Sequence, residues 1–130
     1  MREIHTHKTN RFNSNNIEVS ALDAAGAGGA CHHYRIDAFV PAQTSNEETI
    51  SKAVVEFQFQ NGPIKEAGVN GVTDESLFAI LIDRLQGFQK GQYSCRENAV
   101  ALTHLETSLL WLQHRTRARE ARGVEGTSTV

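Results

Sequence analysis

Arg115, Arg117, Arg119 and Arg122 crowd one short stretch near the C-terminus. At helical spacing Arg115, Arg119 and Arg122 share a face, Arg117 points elsewhere, and His104 and Trp111 fall on the side of the three. A guanidinium offers a planar fork of donors, so this set beside an aromatic suits a phosphate-bearing ligand. Positive charge at a helix C-terminus is itself favourable, so spacing alone leaves both readings open. Asn98 is the second unusual residue, because at helical spacing it lines up with the leucine stripe that continues through Leu102, Leu105, Leu109 and Leu112. A buried amide without partners costs about 1–3 kcal/mol. Either a bond inside the neighbouring turn or a bond to a ligand would satisfy it.

Other candidates carry less. His5-x-His7 supplies two possible metal ligands, too few for a site. His32 and His33, if on a strand, point to opposite faces and do not chelate together. The run Ala25-Gly26-Ala27-Gly28-Gly29-Ala30 lacks the lysine and Ser/Thr of a phosphate loop and the spacing of a dinucleotide fingerprint. It reads as a permissive loop. No nucleophile has a base partner at motif spacing, and no carboxylates are paired for acid–base work. Nothing among these residues asks for catalysis, and no cofactor or metal is expected.

Composition narrows the partners. The chain has 130 residues and a net charge of −2, so it exerts no general pull on polyanions, and polymeric nucleic acid is not an expected partner. Hydrophobic residues make up 39%, enough for a soluble globular fold but with no apolar run of membrane-spanning length. The N-terminus shows no apolar signal core. Cys31 and Cys95 form no CxxC pair and read as reduced thiols.

The elements that must position these residues follow from patterning. Residues 1–15 form a polar, asparagine-rich arm with Asn10, Asn13 and Asn15, and Asn16 follows directly. Residues 16–68 are β-rich: alternation predicts strands over 17–22, 31–39 and 53–60, a polar connection over 41–51, a turn at Asn61-Gly62 and a short returning strand over 64–67. Residues 73–122 form a helical hairpin. Thr73 caps a first helix that runs to about Gln89, with Asp74 and Glu75 in its first turn. Ser94 and Glu97 fit a capping box that opens a second helix ending near Arg122, with Gly123 as its stop. Its inner stripe is Leu102, Leu105, Leu109 and Leu112. The short connection makes the hairpin antiparallel, and the second helix overshoots the first. Residues 123–130 are a loose tail. The class is α+β: one domain, with a small N-terminal antiparallel sheet followed by the long hairpin. Leu77, Phe78, Ile80, Leu81, Ile82, Leu85 and Phe88 span too wide an arc of the first helix for one neighbour to cover, so an oligomer is expected.

The hairpin residues resemble a known family. Val69-Asn70-Gly71-Val72-Thr73, the run Ala79 through Gln89, Cys95-Arg96-Glu97-Asn98-Ala99 and the stretch from Trp111 through Thr127 are similar to the phage Thoeris anti-defence signal sponges. Their helical hairpin is shared with phage anti-CBASS cyclic-nucleotide sponges. The resemblance is strongest over residues 61–127, and the N-terminal sheet favours the Thoeris branch. It implies a protein that sequesters cyclic ADP-ribose isomers in the host bacterial cytoplasm without degrading them. It also implies cyclic di- or trinucleotides at a second site, which no residue here identifies, and dimers that assemble into hexamers. An enzyme that degrades a nucleotide signal, or a purely structural phage oligomer, is the alternative.

By the same resemblance, Phe88 stacks on the adenine, Asn98 makes a polar contact, and Arg115 and Arg119 hold base and pyrophosphate. Replacing both arginines is then expected to abolish binding and leave the fold intact. Helix geometry adds a constraint. Phe88 and Asn98 flank the hairpin turn, whereas Arg115 and Arg119 lie 17 and 21 residues beyond Asn98. That is roughly 26–32 Å along one helix. If all four serve one ligand, an antiparallel second subunit must supply half of the site.

Overall fold

Alternating apolar and polar residues build the first part of the chain into a sheet. The computed structural model describes residues 1–9, 16–40 and 42–130, so Asn10, Asn13 and Asn15 of the arm lie outside the described residues. Strands β1 (Arg2–Ile4), β2 (Ile17–Ala21), β3 (His33–Val40) and β4 (Ile50–Gln58) form one antiparallel sheet in the order β1-β2-β3-β4. The chain then forms a one-turn helix α1 (Ile64–Ala67), helix α2 (Asp74–Gln89) and helix α3 (Arg96–Ala121). The α+β class expected from the sequence is the one observed. Two compact units result. One comprises Met1–Gly62 with Val69–Gly71, the other Pro63–Gly68 with Val72–Val130. No helix among the described residues is long and apolar enough to cross a membrane.

Register sorts the side chains of the sheet. The pairs Val19↔Ile36 and Ile36↔Val55, with Ala21↔Tyr34 and Tyr34↔Phe57, put one apolar row on one face. Tyr34, Phe57 and Phe59 pack there with ring centroids 5.2 to 6.1 Å apart. Arg35, Asp37 and Glu56 lie on the other face, where His33 pairs with Glu56 at 3.0 Å.

Three expectations for this region need correction. Arg2, Glu3 and Ile4 are not a free arm: they pair with Ala21, Ser20 and Val19. The fourth strand begins at Ile50, inside the expected connection, because Phe39↔Ser51 and Val40↔Ile50 continue the ladder past a bulge. Residues 64–67 are helical rather than extended. Pro63 fixes φ at −65° in front of them, Ala67 N–H bonds the Pro63 carbonyl at 2.7 Å, and Gly68 at φ +75° ends the turn.

The loop between β2 and β3 is held by Asp23. Its carboxylate accepts from the backbone N–H of His32 (2.9 and 3.2 Å) and of His33 (3.1 Å). His32 is 9% exposed, and its Nε2 lies 2.9 Å from the Ala27 carbonyl. The His32 N–H lowers the Asp23 pKa below its ordinary 3.8; partial burial opposes this and the His33 N–H adds to it. A carboxyl with a lowered folded pKa stabilises the loop above its ordinary pKa, and that contribution fades as pH falls below it. Amide protection at His32 and His33 is therefore expected to drop below about pH 4. In Asp23→Asn it should be low at every pH, and unchanged protection in that variant would remove the anchoring role.

Gly71 is fixed by contact rather than by conformation. A Cβ there would sit 2.4 Å from the Phe59 carbonyl carbon and 2.5 Å from the Gln58 oxygen, both backbone atoms. Nearby, Asn70 clamps the turn, accepting from Asn61 N–H and donating to the Asn61 carbonyl, each at 2.7 Å. Backbone cannot swing aside as a side chain can. Gly71→Ala is expected to cost about 3 kcal/mol, the upper end for overpacking, read as a lowered denaturation midpoint. A midpoint within error of the parent would show that the segment gives way freely.

Candidate functional site

The hairpin positions all four residues expected to bind ligand. Thr73 caps α2 as expected, its hydroxyl accepting from Ser76 N–H at 3.2 Å. Leu77, Phe78, Ile82, Leu85 and Phe88 are half-buried, as are Leu102, Leu105, Leu109 and Leu112 on α3. Ile80 (63% exposed) and Leu81 (48%) remain outside this seam. Ile82 faces a shallow apolar groove with Leu109 and Leu110, between Glu106 and Gln113, consistent with an antiparallel hairpin. None of the four expected binding residues lines that groove.

The start of α3 differs from the expected capping box by one residue. Cys95, not Ser94, is the N-cap, and its Sγ accepts from Asn98 N–H at 3.4 Å. The cause lies in the preceding helix. The Gln89 amide accepts from Cys95 N–H at 3.1 Å and donates to the Cys95 carbonyl at 3.2 Å, which locks Cys95 outside the helix.

Phe88 and Asn98 flank this turn. Phe88 is half-buried, and the Arg84 guanidinium carbon lies 4.9 Å from its ring centroid, a cation–π contact. Arg84 was not among the residues singled out from sequence, although its i, i+4 spacing to Phe88 carried the signal. The Asn98 side chain is half-buried and makes no hydrogen bond among the described residues, so the turn does not use its amide.

Arg115 and Arg119 occupy the other end of the same unbroken helix, α3. The two pairs are therefore separated by roughly 26–32 Å of helix, and one chain does not bring them together. Their surroundings differ sharply. Arg115 is exposed and makes no hydrogen bond or ion pair among the described residues. The Arg119 side chain is 12% exposed and spends its donors within the chain. Nε bonds Glu125 at 3.1 Å, Nη1 the Thr129 carbonyl at 2.8 Å, and Nη2 the Val124 and Thr127 carbonyls at 3.0 Å each.

These bonds overturn the expectation of a loose tail. α3 closes as predicted near Arg122, with Gly123 at φ +73°. Val124 N–H then returns to the Arg119 carbonyl and Gly123 N–H to the Glu120 carbonyl, the Schellman pattern. Beyond it, Lys65 N–H bonds the Gly126 carbonyl at 2.9 Å, the Ser128 hydroxyl bonds Glu66 at 3.0 Å, and Arg122 reaches the Val130 carbonyl at 2.6 Å. Arg119 differs from Arg115 in that its guanidinium ties down the tail, so its removal is expected to loosen residues 124–129. Sequence reasoning missed Glu125 for the same reason: its partner lies one helix turn behind a reversal of the chain.

Trp111 is 69% exposed, and its ring stands edge-on to His114 at 5.8 Å. The weaker histidine candidates have other partners. His7 Nε2 lies 2.8 Å from the Ile17 carbonyl, and among the described residues no three metal-ligating side chains converge. The hairpin thus presents an aromatic ring and an amide at one end, and a guanidinium with an exposed indole towards the other, the amide and the Arg115 guanidinium making no hydrogen bond among the described residues.

Residues 51–117 match the family described as Acb2/Tad1, hairpin domain. That stretch contains Phe88, Asn98 and Arg115 and stops two residues before Arg119. A protein of Bacillus phage SBSphiJ7 named Thoeris anti-defense 1 is 58% identical over 69 residues, which is 53% of this chain and 49% of that protein. The chain thus matches about half the length of this curated relative. The family read from the hairpin residues is the one found, and the chain belongs to the Acb2/Tad1 hairpin family.

Proposed function

We propose that this chain is a phage anti-Thoeris protein that binds cyclic ADP-ribose isomers in the host bacterial cytoplasm and holds them unaltered. Free signal then stays below the level to which an effector responds. The observation that carries the reading is the match of a chain with these hairpin residues to a protein named Thoeris anti-defense 1. The chemistry of the hairpin supports it. Stacking a base on an aromatic such as Phe88 is worth about 1–3 kcal/mol. Arg84 covers one face of that ring, so the adenine takes the other. Charge-assisted bonds from Arg115 to pyrophosphate add about 1.5–3 kcal/mol each.

A two-fold dimer completes the site in this reading, with Phe88 and Asn98 of one subunit facing the arginines of the other. Ile80, Leu81, Leu110 and Trp111, all between 48% and 69% exposed on the hairpin, give such a partner apolar surface to cover. Association of dimers into hexamers, and a second site for cyclic di- or trinucleotides, belong to the same reading.

The test is direct. A cyclic ADP-ribose isomer at a hundred times its Kd is expected to stabilise the protein by about 2.7 kcal/mol in a thermal shift. After denaturation, chromatography should return the ligand chemically intact. A converted ligand would replace the sponge with an enzyme. No shift with any cyclic nucleotide would leave a structural oligomer.

A further inference from the structure

We propose that β4 pairs antiparallel with β4 of a second copy of this chain about a two-fold axis through Val54, joining two four-stranded sheets into one of eight strands. β4 is the free edge of its sheet and, at nine residues, the longest strand. All of it but Phe57 is exposed, including Ile50 at 55%, Val54 at 48% and Val55 at 53%. An edge this long and free of proline is a template for another strand, provided that the partner answers the charges of Lys52 and Glu56.

The residues of β4 select both partner and register. Phe59 N–H bonds the His32 carbonyl at 2.7 Å, and the ladder alternates from there. The backbone groups of Ala53, Val55 and Phe57 therefore face β3, and those of Val54, Glu56 and Gln58 face outward. Val54 is also out of place. It shares its face with Glu18, Ser20, Arg35, Asp37 and Glu56, and the other apolar side chain beside it there is Phe39, two residues beyond Asp37 on β3. It stands on the edge strand, 48% exposed, where a strand added from outside would cover it.

Lys52 lies two residues before Val54 and Glu56 two residues after it. Pairing about Val54 sets Val54 on Val54 of the partner subunit, and Lys52 opposite Glu56 of the partner subunit, twice over. Lys52 is the residue that the bulge leaves without a partner on β3, and it makes no ion pair among the described residues. Glu56 uses Oε1 for His33 and keeps Oε2. On the opposite face Ala53 meets Val55 of the partner subunit, so the apolar row runs on across the axis. A register about Val55 would set Glu56 against valine, and one about Glu56 would set it against itself. Only the register about Val54 matches charge with charge and apolar with apolar.

The test uses the full chain with Cys31→Ala and Cys95→Ser as background. Val54→Cys places two thiols on the axis at a Cα separation of about 5.5 Å, within disulfide range. Mild oxidation is expected to give a covalent dimer on a denaturing gel. Ala53→Cys alone should give none, whereas Ala53→Cys mixed with Val55→Cys should give the mixed dimer. Adding Lys52→Glu to Val54→Cys should lower the cross-linked fraction several-fold, and adding Glu56→Lys to that should restore it. Absence of the Val54→Cys dimer, equal linking by Ala53→Cys alone, or failure of the charge swap to restore linking overturns the proposal. Should Val54→Cys not fold, the mixed pair decides the question. None of these readouts involves ligand.

Discussion

Arg115→Ala is expected to weaken binding of a cyclic ADP-ribose isomer by about a hundredfold and to leave the melting temperature unchanged. Two charge-assisted bonds at the lower end of their range amount to about 3 kcal/mol, and each 1.4 kcal/mol is tenfold in affinity. Stability is untouched because Arg115 is exposed and makes no bond among the described residues. Arg119→Ala is expected to behave differently. It removes one donor group from Glu125 and from the carbonyls of Val124, Thr127 and Thr129 together. Losing this hub should cost about 1–3 kcal/mol and free the tail, seen as faster amide exchange over residues 124–129. Arg119→Lys should not rescue it, because a point charge cannot fill four positions of a planar fork. Calorimetry with hydrogen exchange on both variants separates the roles. Unchanged affinity in Arg115→Ala would remove its phosphate contact. Unchanged exchange in Arg119→Ala would remove the anchor.

Mixing two inactive variants is expected to restore full affinity to about a quarter of all sites. Phe88→Ala and Arg115→Ala each disable binding in this reading. If Phe88 of one subunit faces Arg115 of its partner, a mixed dimer has one site with both defects and one with neither. Unfolding and refolding equal amounts together makes about half of the dimers mixed, hence the quarter. Titration calorimetry reads that fraction as stoichiometry at parental affinity. The motive is the length of α3, 26 residues without a break, which holds Asn98 and Arg115 apart. If each hairpin carried its own complete site, every site in the mixture would keep a defect and no tight binding would return.

The elements set by local rules were legible in the sequence. Helical periodicity, Thr73 as a cap and Gly123 as a stop gave both long helices within two residues at each end. Alternation gave β2 and β3 and the apolar face they share. Each rests on neighbours in the chain, so the pattern and its cause lie in the same short window. The stretch from Pro63 to Gly68 was ambiguous because four residues show neither period. The backbone of its flanking residues decided it.

What the tertiary structure alone decided involves residues far apart in sequence. β1 is three residues long, too short to alternate, and exists because Arg2, Glu3 and Ile4 find β2. The cap of α3 moved to Cys95 because Gln89, on the previous helix, holds it. The candidate site shows the same division. Residue type and spacing identified Asn98 and the arginines, because a guanidinium or a lone amide carries its chemistry wherever it sits. They could not separate Arg115 from Arg119, which share one face of one helix. That difference arises where the chain turns back at Gly123 and lays its carbonyls against one guanidinium and not the other. A donor is free or engaged according to what the fold brings to it, and spacing along a helix does not encode the path of the tail.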